Sequence, residues 1–233
     1  MESRTVLVTG ANRGLGLEFA RQYAEDGWRV FAACRAPDSA RELKALESRH
    51  ADRLSVLALD VMDGAAVKAA AGRLRNEAID LLLNNAGVGS PPGQKIGSFD
   101  YAAWLRVLDA NVLGPARMVE SFVESVAKSR DKRIVTVTSL MGSIADNSSG
   151  GSYAYRSSKA AVNAAMKSFA IDLAPRGITC AVVHPGWVRT DMGGAGGKLS
   201  AAESVGALRS LIDSLKREDS GKFFNYDGKP LPW

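Results

Sequence analysis

Tyr155 and Lys159 stand four residues apart in Ser152-Tyr153-Ala154-Tyr155-Arg156-Ser157-Ser158-Lys159. The run that follows has helical spacing, which puts both on one helix face, one turn apart. A phenol is a weak acid, with an ordinary pKa of about 10. An ammonium ~4 Å away in an effective dielectric of about 20 attracts the phenolate by ~4 kcal/mol. That matches the roughly 3–4 kcal/mol needed to lower the phenol by two to three units. Tyr155 is therefore expected to be lowered into the range useful for proton transfer near neutral pH. The same spacing also describes a Tyr–Lys pair on a solvated helix face. Tyr153 is the rival tyrosine, but the residue four further on is Ser157, which has no charge to offer.

Two further residues could serve a reacting oxygen. Ser139 closes the apolar run Ile134–Thr138, so its hydroxyl falls at a strand end; Ser143 is its rival, further along the following loop. Asn111 sits inside a helical run, Asp109-Ala110-Asn111-Val112. Asn is a poor helix former, so it reads either as a site residue or as a structural one.

A second constellation points to a nucleotide. Thr9-Gly10-Ala11-Asn12-Arg13-Gly14-Leu15-Gly16 joins a β-branched strand to a helix with G-x-x-x-G-x-G spacing. Glycines there allow a tight turn and close approach to a pyrophosphate, and the helix start supplies N–H donors and a positive dipole end. The next strand ends in Cys34-Arg35, with no acid to accept from a ribose 2′-hydroxyl. Arg13 and Arg35 could instead clamp a 2′-phosphate, which favours NADP(H) over NAD(H); the alternative is a surface arginine on each loop. Asp60 ends the third strand, where it faces the adenosine half of such a cofactor or caps the following helix, a task Asp63 could do better. Asn84-Asn85-Ala86-Gly87 ends the fourth strand, where the asparagines line the same cofactor or satisfy turn backbone.

The elements that position these residues alternate. Strands are expected at Thr5–Thr9, Arg29–Cys34, Leu54–Leu59, Ile79–Leu83, Ile134–Thr138, Ile178–Val183 and Phe223–Tyr226. Helices fall at Gly14–Asp26, Ser39–Arg49, Asp63–Glu77, Tyr101–Lys128, from Tyr153 toward Pro175, and Ala201–Lys216. Apolar strands alternating with helices specify an α/β fold: a single doubly wound Rossmann-type domain over 1–233, with a mostly parallel seven-stranded sheet flanked by helices. Ligands in such sheets bind beyond the carboxyl ends of the strands, where the motifs above fall.

Composition narrows the function classes. The 233 residues are 46% hydrophobic and 24% charged, ordinary for a globular domain, and the net charge of +5 comes with no long basic run. Nucleic acid is therefore not an expected partner, and no apolar run approaches the ~18 residues of a membrane span. Cys34 and Cys180 lie in apolar runs without metal-ligand spacing, and the two histidines form no cluster, so no metal is expected. Buried free thiols and a start that runs straight into a strand pattern, without a signal-peptide core, point to the cytoplasm.

Together these residues resemble the short-chain dehydrogenases/reductases over essentially the whole chain: T-G-x-x-x-G-x-G at 9–16, N-N-A-G at 84–87, Asn111, Ser139, Y-x-x-x-K at 155–159 and P-G-x-V-x-T at 185–190. The segment from Ser139 to Tyr153 is similar to the C-factor/sniffer-type carbonyl reductases. The resemblance implies an NADPH-dependent oxidoreductase reducing an aldehyde, ketone or quinone. It makes Tyr155 the general acid and Lys159 the group that lowers its pKa and holds the nicotinamide ribose. Ser139 then bonds the substrate oxygen, and Asn111 supports a water relay to Lys159. The implied cofactor bed is Gly10, Asn12, Arg13, Gly14, Leu15, Gly16, Arg35, Asp60, Val61, Asn85, Ala86, Gly87, Tyr155, Lys159, Pro185, Gly186, Val188 and Thr190. A second reading is a dinucleotide-binding regulatory or signalling protein of the same fold with little turnover.

Two expectations concern larger-scale behaviour. Gly193, Gly194, Gly196 and Gly197 have little to order them, so Met192–Ser204 is expected to be a mobile lid that orders on substrate. Relatives of the family often pair through the long helices, here 101–128 and 153–174, so a homodimer or homotetramer is expected.

Overall fold

A computed structural model of the chain describes residues 3–233; Met1 and Glu2, and with them the reading of the chain's start, lie outside the described residues. The elements, in order, are β1 Thr5–Thr9, α1 Gly14–Glu25, β2 Arg29–Cys34, α2 Arg41–Arg49, β3 Leu54–Ala58, α3 Gly64–Arg73, β4 Leu81–Asn84, α4 Tyr101–Leu108, α5 Gly114–Ala127, β5 Arg133–Val137, α6 Tyr153–Leu173, β6 Thr179–His184, α7 Ala201–Ser214 and β7 Phe223–Asn225.

The strands form one sheet of order β3-β2-β1-β4-β5-β6-β7, and every pairing between neighbours is parallel. The expected fold is therefore present, with the sheet wholly rather than mostly parallel. Strand alternation sends Val6, Val8, Leu83, Val135 and Val183 to one face and Leu7, Leu82, Ile134 and Val182 to the other. The first face packs with Phe19 and Tyr23 of α1 and Leu208 and Ile212 of α7. The second packs with Phe122 and Val126 of α5 and Val162 and Met166 of α6. Burial on both faces explains why the strands read as nearly unbroken apolar runs.

The chain runs outward from β1 to β3, then returns to the other side of β1 as β4. The reversal opens a crevice at the carboxyl ends of β1 and β4.

One helix differs from the sequence reading. The continuous helix expected over Tyr101–Lys128 is interrupted by a π turn at Asp109–Leu113, between α4 and α5. An α-helix would need the N–H of residue 115 for the Asn111 carbonyl, and residue 115 is proline, which has none. The interruption thus falls on Asn111, and π turns frequently mark functional sites. The loop that follows β5 contains a 3-10 turn, Leu140–Gly142.

Candidate active site

The crevice is built by backbone clamps. Thr9 Oγ1 accepts from the N–H groups of Asn85 and Ala86, each at 3.0 Å. Asn85 Nδ2 donates to the carbonyl of Thr9 at 2.9 Å. These bonds hold the turn after β4 against the glycine loop after β1, so Asn85 satisfies turn backbone while forming the wall of the crevice. Asn84 is instead buried in the sheet, donating to Thr136 Oγ1 at 3.3 Å. Asp63 caps α3 by accepting from Ala65 and Ala66, which leaves Asp60 at the cleft, its Oδ1 taking the Met62 N–H at 3.0 Å.

The resulting cleft has a volume of about 690 Å³. Its wall contains Gly10, Asn12, Arg13, Gly14, Leu15, Gly16, Arg35, Asp60, Val61, Asn85, Ala86, Gly87, Tyr155, Lys159, Pro185 and Thr190 from the sequence-predicted set. Two features fit a dinucleotide. A Cβ at Gly16 would lie 2.1 Å from the Gly10 carbonyl, so the loop closes onto α1 only because residue 16 has no side chain. No side chain caps the start of α1 and no acid occupies its first turn, which leaves N–H donors and a positive dipole end for an anion.

Asn111, Ser139, Gly186 and Val188 are not among the residues of that wall. Asn111 is 1% exposed. Its Oδ1 accepts from the Val88 N–H at 2.8 Å, and its Nδ2 donates to the Val88 carbonyl at 2.9 Å and to Ser158 Oγ at 3.0 Å. Its amide thus locks the π turn to the strand-end loop and to α6. Ser139 is buried, and its Oγ accepts from the Met141 N–H at 3.1 Å. The rival Ser143 is committed elsewhere: its hydroxyl donates to the Trp233 carbonyl at 3.3 Å and accepts from the Asp146 N–H at 3.1 Å. Tyr153 packs edge-on against Phe99, ring centroids 5.0 Å apart, away from the cleft wall.

Lys159 is 6% exposed, and its Nζ donates to the Val137 carbonyl at 3.0 Å. It sits 5.7 Å from the centroid of the Tyr155 ring. Gly142 lets the 3-10 turn pack against α6, because a Cβ there would lie 2.8 Å from the Lys159 carbonyl carbon. The protonation pattern corrects the sequence reading. Burial pushes the Tyr155 phenol up, with the Ser139 side chain pulling it partly back. Burial also pushes Lys159 down, to about 8. The expected lowering of Tyr155 counted the ammonium and left out desolvation of the phenolate, which dominates here.

The glycine-rich segment makes contacts of its own. Gly193–Gly197 is folded onto the strand-like stretch before it: Trp187 Nε1 donates to the Gly193 carbonyl at 2.8 Å, Gly194 N–H to Thr190 O at 2.8 Å, and Lys198 N–H to Trp187 O at 2.7 Å. A Cβ at Gly193 would lie 2.0 Å from the Val188 carbonyl, so that glycine permits a close approach. Ala201–Ser204 already belong to α7, whose start is fixed by a capping box of Ser200 and Glu203.

The cleft wall also holds residues that spacing did not single out, among them Glu42, Thr138 and Asp191. Thr138 was legible as a strand-end residue beside Ser139. Glu42 lies in the expected helix Ser39–Arg49, and Asp191 immediately precedes the expected lid.

Fold and site together define a doubly wound domain with a Tyr–Lys pair in the wall of a glycine-bounded cleft. A family profile described as short chain dehydrogenase matches residues 4–198. The chain belongs to that family, a family of oxidoreductases. It is 45% identical over 155 residues to the C-signal of Myxococcus xanthus, covering 66% of this chain and 93% of that one. Among solved structures it is similar to the carbonyl reductase Sniffer of D. melanogaster (33% identity, TM-score 0.91) and to an NADPH-bound carbonyl reductase from chicken fatty liver (34% identity, TM-score 0.92), with all of both chains covered in each case.

Proposed function

We propose that the chain is an NADPH-dependent carbonyl reductase acting on an aldehyde, ketone or quinone. The observation that carries this reading is the meeting of Tyr155 and Lys159 with the glycine-bounded, acid-free start of α1 in one cleft. A nicotinamide cofactor, when bound, supplies the hydride. Gly10 through Gly16, Asp60, Val61 and the turn Asn85–Gly87 would hold its adenosine and pyrophosphate. Pro185, Gly186, Val188 and Thr190 would border its nicotinamide end. Arg13 and Arg35 line the cleft without an acid at position 34, which supports recognition of a 2′-phosphate.

The residues then divide the work. With its pKa raised, Tyr155 keeps its proton at neutral pH and donates it to the carbonyl oxygen as charge develops there. Ser139 orients that oxygen. Lys159, anchored on Val137, places a positive charge beside the phenol as it gives up the proton. Asn111 fixes the π turn against Ser158, one residue before Lys159, and so holds the catalytic helix in register.

A second reading, a signalling protein of the same fold, is favoured by the identity to the C-signal. Exposed Tyr101 and Leu105 on α4 and Ile171 on α6 support association into a homodimer or homotetramer, and the buried thiols Cys34 and Cys180 support a reducing, cytoplasmic setting. The test is NADPH oxidation against a panel of aldehydes, ketones and quinones, with NADH in parallel. Turnover preferring NADPH supports the enzyme; tight NADPH binding without turnover across the panel favours the signalling reading.

A further inference from the structure

Arg13 and Asp191 meet across the mouth of the cleft. Arg13 Nη1 donates to Asp191 Oδ2 at 2.5 Å, and both residues line the cleft. Asp191 comes from the segment after β6, which spans the opening. On one side a Cβ at Gly14 would lie 3.5 Å from Thr190 Cγ2, and on the other a Cβ at Gly89 would lie 3.7 Å from Met192 Cγ. The pair is therefore the charged link of a strap running from the glycine loop to the loop after β4.

Arg13 is also one of the two residues assigned above to a 2′-phosphate. A guanidinium presents the same donor fork to a carboxylate and to a phosphate. The strap thus carries its own oxyanion, already seated on a group the cofactor needs.

We propose that Asp191 is a specificity-determining residue: its carboxylate occupies Arg13 in the free protein, and the 2′-phosphate of NADP(H) must displace it. Asp191 thereby lowers the preference for the phosphorylated cofactor. It also ties release of the strap at its glycine-loop end to the presence of a 2′-phosphate. This rests on the cofactor reading above, in that Arg13 must contact that phosphate. Both side chains are well exposed, at 67% and 75%, so the competition is screened and its size modest.

The test is calorimetric titration of the full chain with 2′,5′-ADP and 5′-ADP, then with NADPH and NADH, for the wild type, Asp191→Asn, Arg13→Ala and the double variant. Asp191→Asn should tighten 2′,5′-ADP and NADPH by about two- to five-fold, leave 5′-ADP and NADH nearly unchanged, and have no effect once Arg13 is alanine. Equal tightening of all four ligands would mean a general charge effect and overturn the proposal. So would no tightening at all, or a gain that survives in the Arg13→Ala background. Should Arg13→Ala alone leave 2′,5′-ADP affinity intact, the assignment of Arg13 to the phosphate fails first and takes this inference with it. Should Arg13→Ala weaken 2′,5′-ADP while Asp191→Asn does nothing selective, the cofactor reading stands and only the role of Asp191 is lost.

Discussion

Lys159 Nζ donates to the backbone carbonyl of Val137 at 3.0 Å, so the ammonium of α6 is fastened to the last residue of β5, two residues before Ser139. One bond thus sets the position of α6 relative to the strand end that carries the serine. It also holds a charge where desolvation opposes charge.

That opposition has a measurable consequence. Lys159 falls from 10.5 to about 8 on burial. Between those values the unfolded chain binds more protons than the folded one, so stability rises with pH through that window and is lowest below about pH 8. The full cost below the window is about 3 kcal/mol. Lys159→Met keeps the stem and removes the charge, but forfeits a hydrogen bond of about 1 kcal/mol. At pH 7 the variant is expected to melt several degrees higher than wild type and to lose reductase activity; near pH 10.5 the gain should vanish. Thermal unfolding at both pH values decides it, and a lower melting temperature at pH 7 would count against the burial cost.

His184 closes β6, and burial pushes it down to about 4 against an opposing influence from Asp146. Its Nδ1 is buried without a hydrogen-bond partner. The ring is neutral in the fold, so its contribution to stability is complete above the ordinary value of 6.5 and is lost as pH falls toward about 4. The loss amounts to at most about 3 kcal/mol. Urea midpoints of the wild type should drop across that window, and those of His184→Leu should drop less. Parallel curves for the two proteins would contradict the assignment.

Two glycine-to-alanine changes should have opposite signs. At Gly142 the new methyl would lie 2.8 Å from the Lys159 carbonyl carbon and 2.9 Å from its Cβ. The 3-10 turn must then move off α6, at about 1–3 kcal/mol, and kcat should fall because the turn begins at Ser139. At Gly72, inside α3, a methyl meets nothing within 4 Å, and alanine should stabilise by about 0.5–1 kcal/mol with unchanged kcat. Denaturant midpoints and steady-state rates check both.

The sequence was most informative where a residue type has one structural use. The glycines of the first loop, the strand-end position of Asn85, and the four-residue spacing of Tyr155 and Lys159 all led to the cleft. Seven apolar runs separated by helices were enough for the sheet. Legibility failed where an effect depends on depth or on partners distant in sequence. The pKa of Tyr155 turned on burial, which spacing does not reveal. The close approach at Gly193 was not legible, because composition does not show that the Val188 carbonyl occupies the space of a side chain. The π turn did leave a signal: Gly114-Pro115 denies Asn111 its α-helical donor.

The central claim is that Tyr155 supplies the proton. Tyr155→Phe removes one hydroxyl and leaves the ring, while Tyr153→Phe removes a hydroxyl from a ring packed against Phe99 and Trp104. The direct measurement is single-turnover NADPH oxidation with an aromatic aldehyde or quinone for the wild type and these two variants, with NADPH affinity measured alongside. Tyr155→Phe should slow by at least 10²–10⁴-fold with NADPH affinity little changed, and Tyr153→Phe should stay close to wild type. A near-normal rate for Tyr155→Phe together with an inactive Tyr153→Phe would contradict the assignment of the acid.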